Sequence, residues 1–310
     1  MSDALVSANA RGKPIAVRRP RWQGLWMALG ALLVVGGLVR AVDNAGAVPA
    51  GAPACEEKCP VASRVSTLLT GWKTAREEMK GVPEAEHAKL KTHLAALAKE
   101  CPVGSRLGET LGFVKAVLAS TVQLEGASGK QCPIDASGDK AACDLKQARA
   151  KLIAGLDELA GYAAGACSGS CDGATAQETA SLPERAIILL ASWDRAPAEI
   201  AAIPAEKRQL ASARLTELAG HCKAVTLIPP TVEGLRAGLA AVDELNGKLC
   251  DWAKAHPDVF KDCSAETKRG MATQMALLHA TARILERSQA CLKACGVDCG
   301  AEAKQETAAR

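Results

Sequence analysis

The stretch from Leu68 to Gly126 matches Leu189 to Gly247 at a constant offset of 121 and without a gap. Trp72, Pro83, Leu94, Leu97, Ala98, Cys101, Thr110, Ala116, Leu118, Ala119, Leu124 and Gly126 recur as Trp193, Pro204, Leu215, Leu218, Ala219, Cys222, Thr231, Ala237, Leu239, Ala240, Leu245 and Gly247. The chain is therefore a tandem duplication, and its fold must be buildable from one unit used twice.

That unit is helical. The 310 residues hold only two Phe, one Tyr and five Trp, against an abundance of Ala and Leu. Ala and Leu are strong helix formers, whereas strands favour the aromatic and β-branched residues that are scarce here. Copy one reads as four helices: about Val61–Met79, Glu84–Lys99, Ser105–Leu124 and Ala141–Gly165. Each carries an apolar stripe, such as Leu107, Leu111, Val114 and Leu118 in the third. Copy two follows the same plan, with Pro229-Pro230 expected to open its third helix and Ala265–Cys295 forming its fourth. The fold class is all-α, a tandem duplication of a disulfide-stapled four-helix unit after one N-terminal transmembrane helix. A bundle per copy is the expected arrangement, with a continuous array of helical hairpins as the alternative.

Gly24 to Val39 is a run of sixteen residues without a charge, with Trp22 before it, Trp26 near its start and Arg40 after it. With its edges it spans residues 24–42, enough to cross a bilayer. Arg11, Lys13, Arg18, Arg19 and Arg21, set against Asp3, account for the whole net charge of +4 and place the N-terminus in the cytoplasm. A signal peptide cleaved near Ala47 is the rival reading and would leave a secreted or periplasmic protein. The expected division is a basic tail (1–23), an anchor (24–42), a flexible linker (43–54), repeat one (55–166), repeat two (167–290) and a Cys-rich end with a polar tail (291–310). The rest of the chain is neutral and poor in aromatics, which excludes the basic footprint and stacking platform of a nucleic-acid binder.

All thirteen cysteines follow the apolar run, the placement expected of a body exported to an oxidising compartment. Each copy has the same order, a Cys-x3-Cys pair and then three single cysteines: Cys55, Cys59, Cys101, Cys132 and Cys143, then Cys167, Cys171, Cys222, Cys250 and Cys263. Cys132 with Cys143, and Cys250 with Cys263, bracket equivalent loops and are expected to bond as loop staples worth about 3 kcal/mol each. Cys101 and Cys222 are candidate partners for one sulfur of their own copy's pair. The alternative use of these thiols is as metal ligands. Met271, Met275 and His279, and then Cys291, Cys295 and Cys299, form i, i+4, i+8 rows of donors that suit Cu(I) or Zn. Successive i+4 steps drift around a helix, so the two rows face apart and do not share one site.

No cofactor is expected, and no thioredoxin, haem-attachment, zinc-protease, serine-hydrolase or P-loop signature is present. Three functions stay open. The first is a membrane-anchored extracytoplasmic helical module that binds other envelope proteins. Thiol-based metal binding or storage and thiol redox chemistry are the alternatives.

Overall fold

The computed structural model describes residues 59–100, 102–127, 132–168 and 180–294. They are all helix and connection, with no strand among the described residues. The elements are α1 (Pro60–Lys80), α2 (Glu84–Glu100), α3 (Pro102–Ala127), α4 (Pro133–Ser137), α5 (Lys140–Ser168), α6 (Leu182–Ala202), α7 (Ala205–His221), α8 (Lys223–Ala255), a 3₁₀ turn (Pro257–Phe260) and α9 (Ala265–Ala294). The expected membrane segment and linker lie outside the described residues. Among those described, no helix is long and apolar enough to cross a membrane.

The repeat register is kept helix by helix. Val65, Leu68, Trp72 and Ala75 form the buried stripe of α1, and their counterparts Ala186, Leu189, Trp193 and Ala196 form that of α6, which Ile200 extends by one turn. Position 84 opens α2 as position 205 opens α7, and position 102 opens α3 as position 223 opens α8. This register corrects one expectation. The third helix of copy two begins at Lys223, not at Pro229, and runs through both prolines. Each proline withdraws a backbone donor from the helix, but α8 packs against α1, α5, α7 and α9, and that burial outweighs the loss.

The arrangement of the copies also departs from a bundle apiece. One continuous core joins α1, α3 and α5 of copy one to α6, α8 and α9 of copy two. Within it α1 lies on α5 and on α8, and in the same way α6 lies on α9 and on α3. The first helix of each copy thus packs on the third helix of the other. Helices α2 and α7 meet each other and bind the outside of α3 and α8, so the contacts stay the same when the copies are exchanged. The described residues from Cys59 onward belong to a single compact unit.

Departures from the symmetry are filled by size. Gly234 and Gly238 of α8 stand where copy one has Phe113 and Val117. A Cβ at Gly238 would lie 2.4 Å from Leu156 Cδ2, and one at Gly234 would lie 2.6 Å from Leu68 Cδ1. These glycines let α8 approach α5 and α1 at backbone distance.

Candidate functional site

The seam between the copies is where polar chemistry enters the core. Trp72 donates its indole N–H to Thr231 Oγ1 at 2.8 Å, and Trp193 donates to Thr110 Oγ1 at 2.8 Å. These are the same bond made twice, each time from one copy to the other. Both threonines are fully buried, so each indole finds the acceptor that its burial requires. Trp72 further stacks on Tyr162, with ring centroids 6.4 Å apart.

Trp252 makes a third crossing. Its indole donates to Asp139 Oδ2 at 2.9 Å, while Asp139 Oδ1 accepts the backbone N–H of Ala142 at the start of α5 at 2.9 Å. These two bonds hold the Asp139 carboxyl below the usual carboxylate range, the helix-capping bond being the larger cause. Ile134, Ala142 and Leu249 form a small apolar cluster beside it, against which Cys132, Cys143, Trp252 and Phe260 pack. All three tryptophans of the described residues therefore donate to the opposite copy.

Contacts other than disulfides hold the copy-one loop that the cysteines bracket. Cys132, Cys143, Cys250 and Cys263 are separate thiols, as are Cys59, Cys222 and Cys291. Cys132 precedes α4, and the Cys143 thiol contacts the carbonyl of Ile134 at 3.7 Å. The copy-one loop is held by α4 itself, by the Asp139 cap and by an ion pair between Lys146 and Asp135. Cys250 is exposed on α8, and Cys263 is half-buried before α9. Cys55, Cys101 and Cys171 lie outside the described residues.

Four of the six alternative metal-ligand candidates lie among the described residues. Met271 is 52% exposed, Met275 is half-buried, and His279 is exposed and faces Asp243 at 3.5 Å. Cys291 is buried in the shared core. Burial pushes its thiol pKa up, against a smaller opposite pull from Arg106. Cys295 and Cys299 lie outside the described residues. Among the described residues no three His, Cys, Asp or Glu side chains are grouped for a metal ion.

Two charged features carry no signal in the sequence, one at the seam and one in α5. Arg106 of α3 reaches α6, donating through Nε to Ser192 Oγ at 2.6 Å and through Nη2 to Glu199 Oε2 at 2.7 Å. In α5, Asp157 has a buried Oδ1 with no hydrogen-bond partner, and desolvation raises its pKa despite the nearby Lys115. A third contact joins the Cys222 thiol to the Met79 thioether, sulfur to sulfur at 3.8 Å. Residues 143 positions apart meet there, a proximity that no local pattern announces.

No protein-family model, curated protein or solved structure matches the chain.

Proposed function

We propose that the chain is a membrane-anchored extracytoplasmic helical repeat protein that acts as a structural or protein-interaction module. One surface feature carries this reading. Ile187 and Ile188 lie side by side on α6, 68% and 45% exposed, where the equivalent positions of α1 are Ser66 and Thr67. The repeat supplies its own control. The same fold position accepts small polar residues, so the apolar pair is not a requirement of packing, and exposed apolar surface on a helix suits contact with another protein. The tether follows from the basic cluster and the apolar run of residues 24–42, and export from the placement of every cysteine after them. In that compartment Cys132 and Cys143, which both pack against one small apolar cluster, form a loop staple.

The test is site-specific photo-crosslinking in living cells, with the reactive side chain at position 187 or at its counterpart, position 66. A discrete adduct from position 187 and none from position 66 supports the module. No adduct from either position removes its basis. A reporter fused after Ala54 that is active only in the cytosol would refute the topology.

A further inference from the structure

Helix α7 is held to the molecule by little apolar burial. Of its 17 residues only Leu218 is buried, and that side chain stands outside both apolar clusters of the described residues. The preceding helix α6 buries five side chains over 21 residues. Residues 205–210 are exposed throughout, Leu210 among them. Helix α2, which α7 meets, is alike, for none of its described side chains is buried. Segments with few buried apolar contacts open at lower free energy than the core to which they are attached.

The chain on both sides of α7 can bend without unwinding a neighbour. Before it, Ile203 is extended, and Pro204 has no backbone N–H with which to join α6 to α7. Pro83 holds the same place before α2. After α7, the extended Cys222 is the single residue before α8. Immediately beyond it Lys223 pairs with Glu78 of α1 at 3.1 Å, and Ala224, Leu227 and Ile228 pack on the shared core. Helix α8 thus belongs to the core from its first turn, and the change in direction falls on Cys222. A few residues at element ends are what a hinge requires.

We propose that α2 and α7 form one outer layer that opens together, while α1, α3, α5, α6, α8 and α9 stay folded, and that this opening uncovers the Cys222 thiol. Cys222 is 8% exposed, and its sulfur lies 3.8 Å from that of Met79. The backbone carbonyl of Met79 accepts a hydrogen bond from His87 Nε2 of α2 at 2.9 Å. One residue at the end of α1 is therefore touched both by α2 and by the residue that caps α7, which ties the two helices to a common closed position. The layer lets this fold change shape while its two copies remain interlocked.

The test uses the full chain in detergent with its thiols reduced, and follows amide exchange and maleimide labelling of each cysteine by peptide mass spectrometry. Leu235 stays buried in the open form, so Leu235→Ala weakens the core without altering the balance between closed and open layers. It should speed labelling of Cys291, buried in the shared core, about 30-fold or more. The amides of α2 and α7 and the labelling of Cys222 should change less than about twofold. Leu218 is released on opening, so Leu218→Ala should speed Cys222 labelling about 30-fold, or to the rate of an unprotected thiol, and the amides of α2 should accelerate by the same factor as those of α7. If Leu235→Ala accelerates α7 and Cys222 as much as Cys291, the layer opens only when the whole unit unfolds, and the proposal is overturned. Amides of α2 that ignore Leu218→Ala would overturn the joint layer. Cys222 labelling that ignores it would overturn the uncovering of the thiol.

Discussion

Replacing Thr231 with valine isolates the bond that joins the copies. Valine exchanges Oγ1 for a methyl group at nearly the same volume, and the two residues have similar helix propensities, so neither a cavity nor a backbone penalty is introduced. What remains is the Trp72 indole N–H, buried at 3% exposure and deprived of the acceptor it had at 2.8 Å. An unsatisfied buried donor costs about 1–3 kcal/mol. For a unit of this size that lowers the thermal midpoint by about 2–12 °C. Thr110→Val should cost a similar amount, since it strands the Trp193 indole in the same way. Thr231→Ser keeps the oxygen and should lose only about 1 kcal/mol for the deleted methyl. Urea unfolding of each variant in reducing buffer, followed by far-ultraviolet circular dichroism, measures all three. A loss below about 0.5 kcal/mol for both valine variants would refute the claim that these bonds hold the copies together.

The same unfolding assay checks four further expectations. Gly238→Ala should destabilise by about 1 kcal/mol: helix propensity favours alanine, but its Cβ would stand 2.4 Å from the fully buried Leu156. Gly247→Ala meets nothing within 4 Å and should stabilise by about 0.4–1 kcal/mol. Asp157→Asn bears on pH: burial raises the carboxyl's folded pKa, so its contribution is fully present below the ordinary carboxylate pKa and is lost as pH rises through the folded value. The variant should therefore gain stability over the parent at neutral pH, and the gain should disappear in acid. Converting Ile187 and Ile188 to their copy-one residues, Ser and Thr, should change stability by no more than about 0.5 kcal/mol.

The helices were legible because each carries an apolar stripe, and the gapless repeat fixed their register to within a few residues. Which helix covers each stripe was not. Leu68 and Trp72 show that one face of α1 is buried, but a stripe does not say whether its cover comes from α3 or from the α8 equivalent 121 residues further on. Trp72 with Trp193, and Thr110 with Thr231, recur together, which is the trace of a retained donor and acceptor. Recurrence alone cannot tell a bond within a copy from one between copies. Pro229 and Pro230 misled for a related reason, since local proline chemistry gave way to tertiary packing around α8. The short α4 lies in a stretch whose composition signals a loop; Gly138, at φ +68°, ends it in the left-handed conformation that glycine permits. The meeting of Met79 with Cys222 depends wholly on how the copies interlock, so it became visible only with the fold.

The central claim is that two sequence copies make one cooperative unit, and hydrogen exchange tests it most directly. Leu235 of α8 is fully buried in the shared core, and Leu235→Ala should cost about 2–5 kcal/mol. Exchange of the slowest amides is governed by global unfolding. In the full-length variant, the slowest amides of α3 and α5 in copy one should therefore speed up by the same factor as those of α8 and α9 in copy two, on the order of 30-fold or more. Faster exchange confined to copy two, with α3 and α5 unchanged, would mean that each copy is a separate folding unit and would contradict the account.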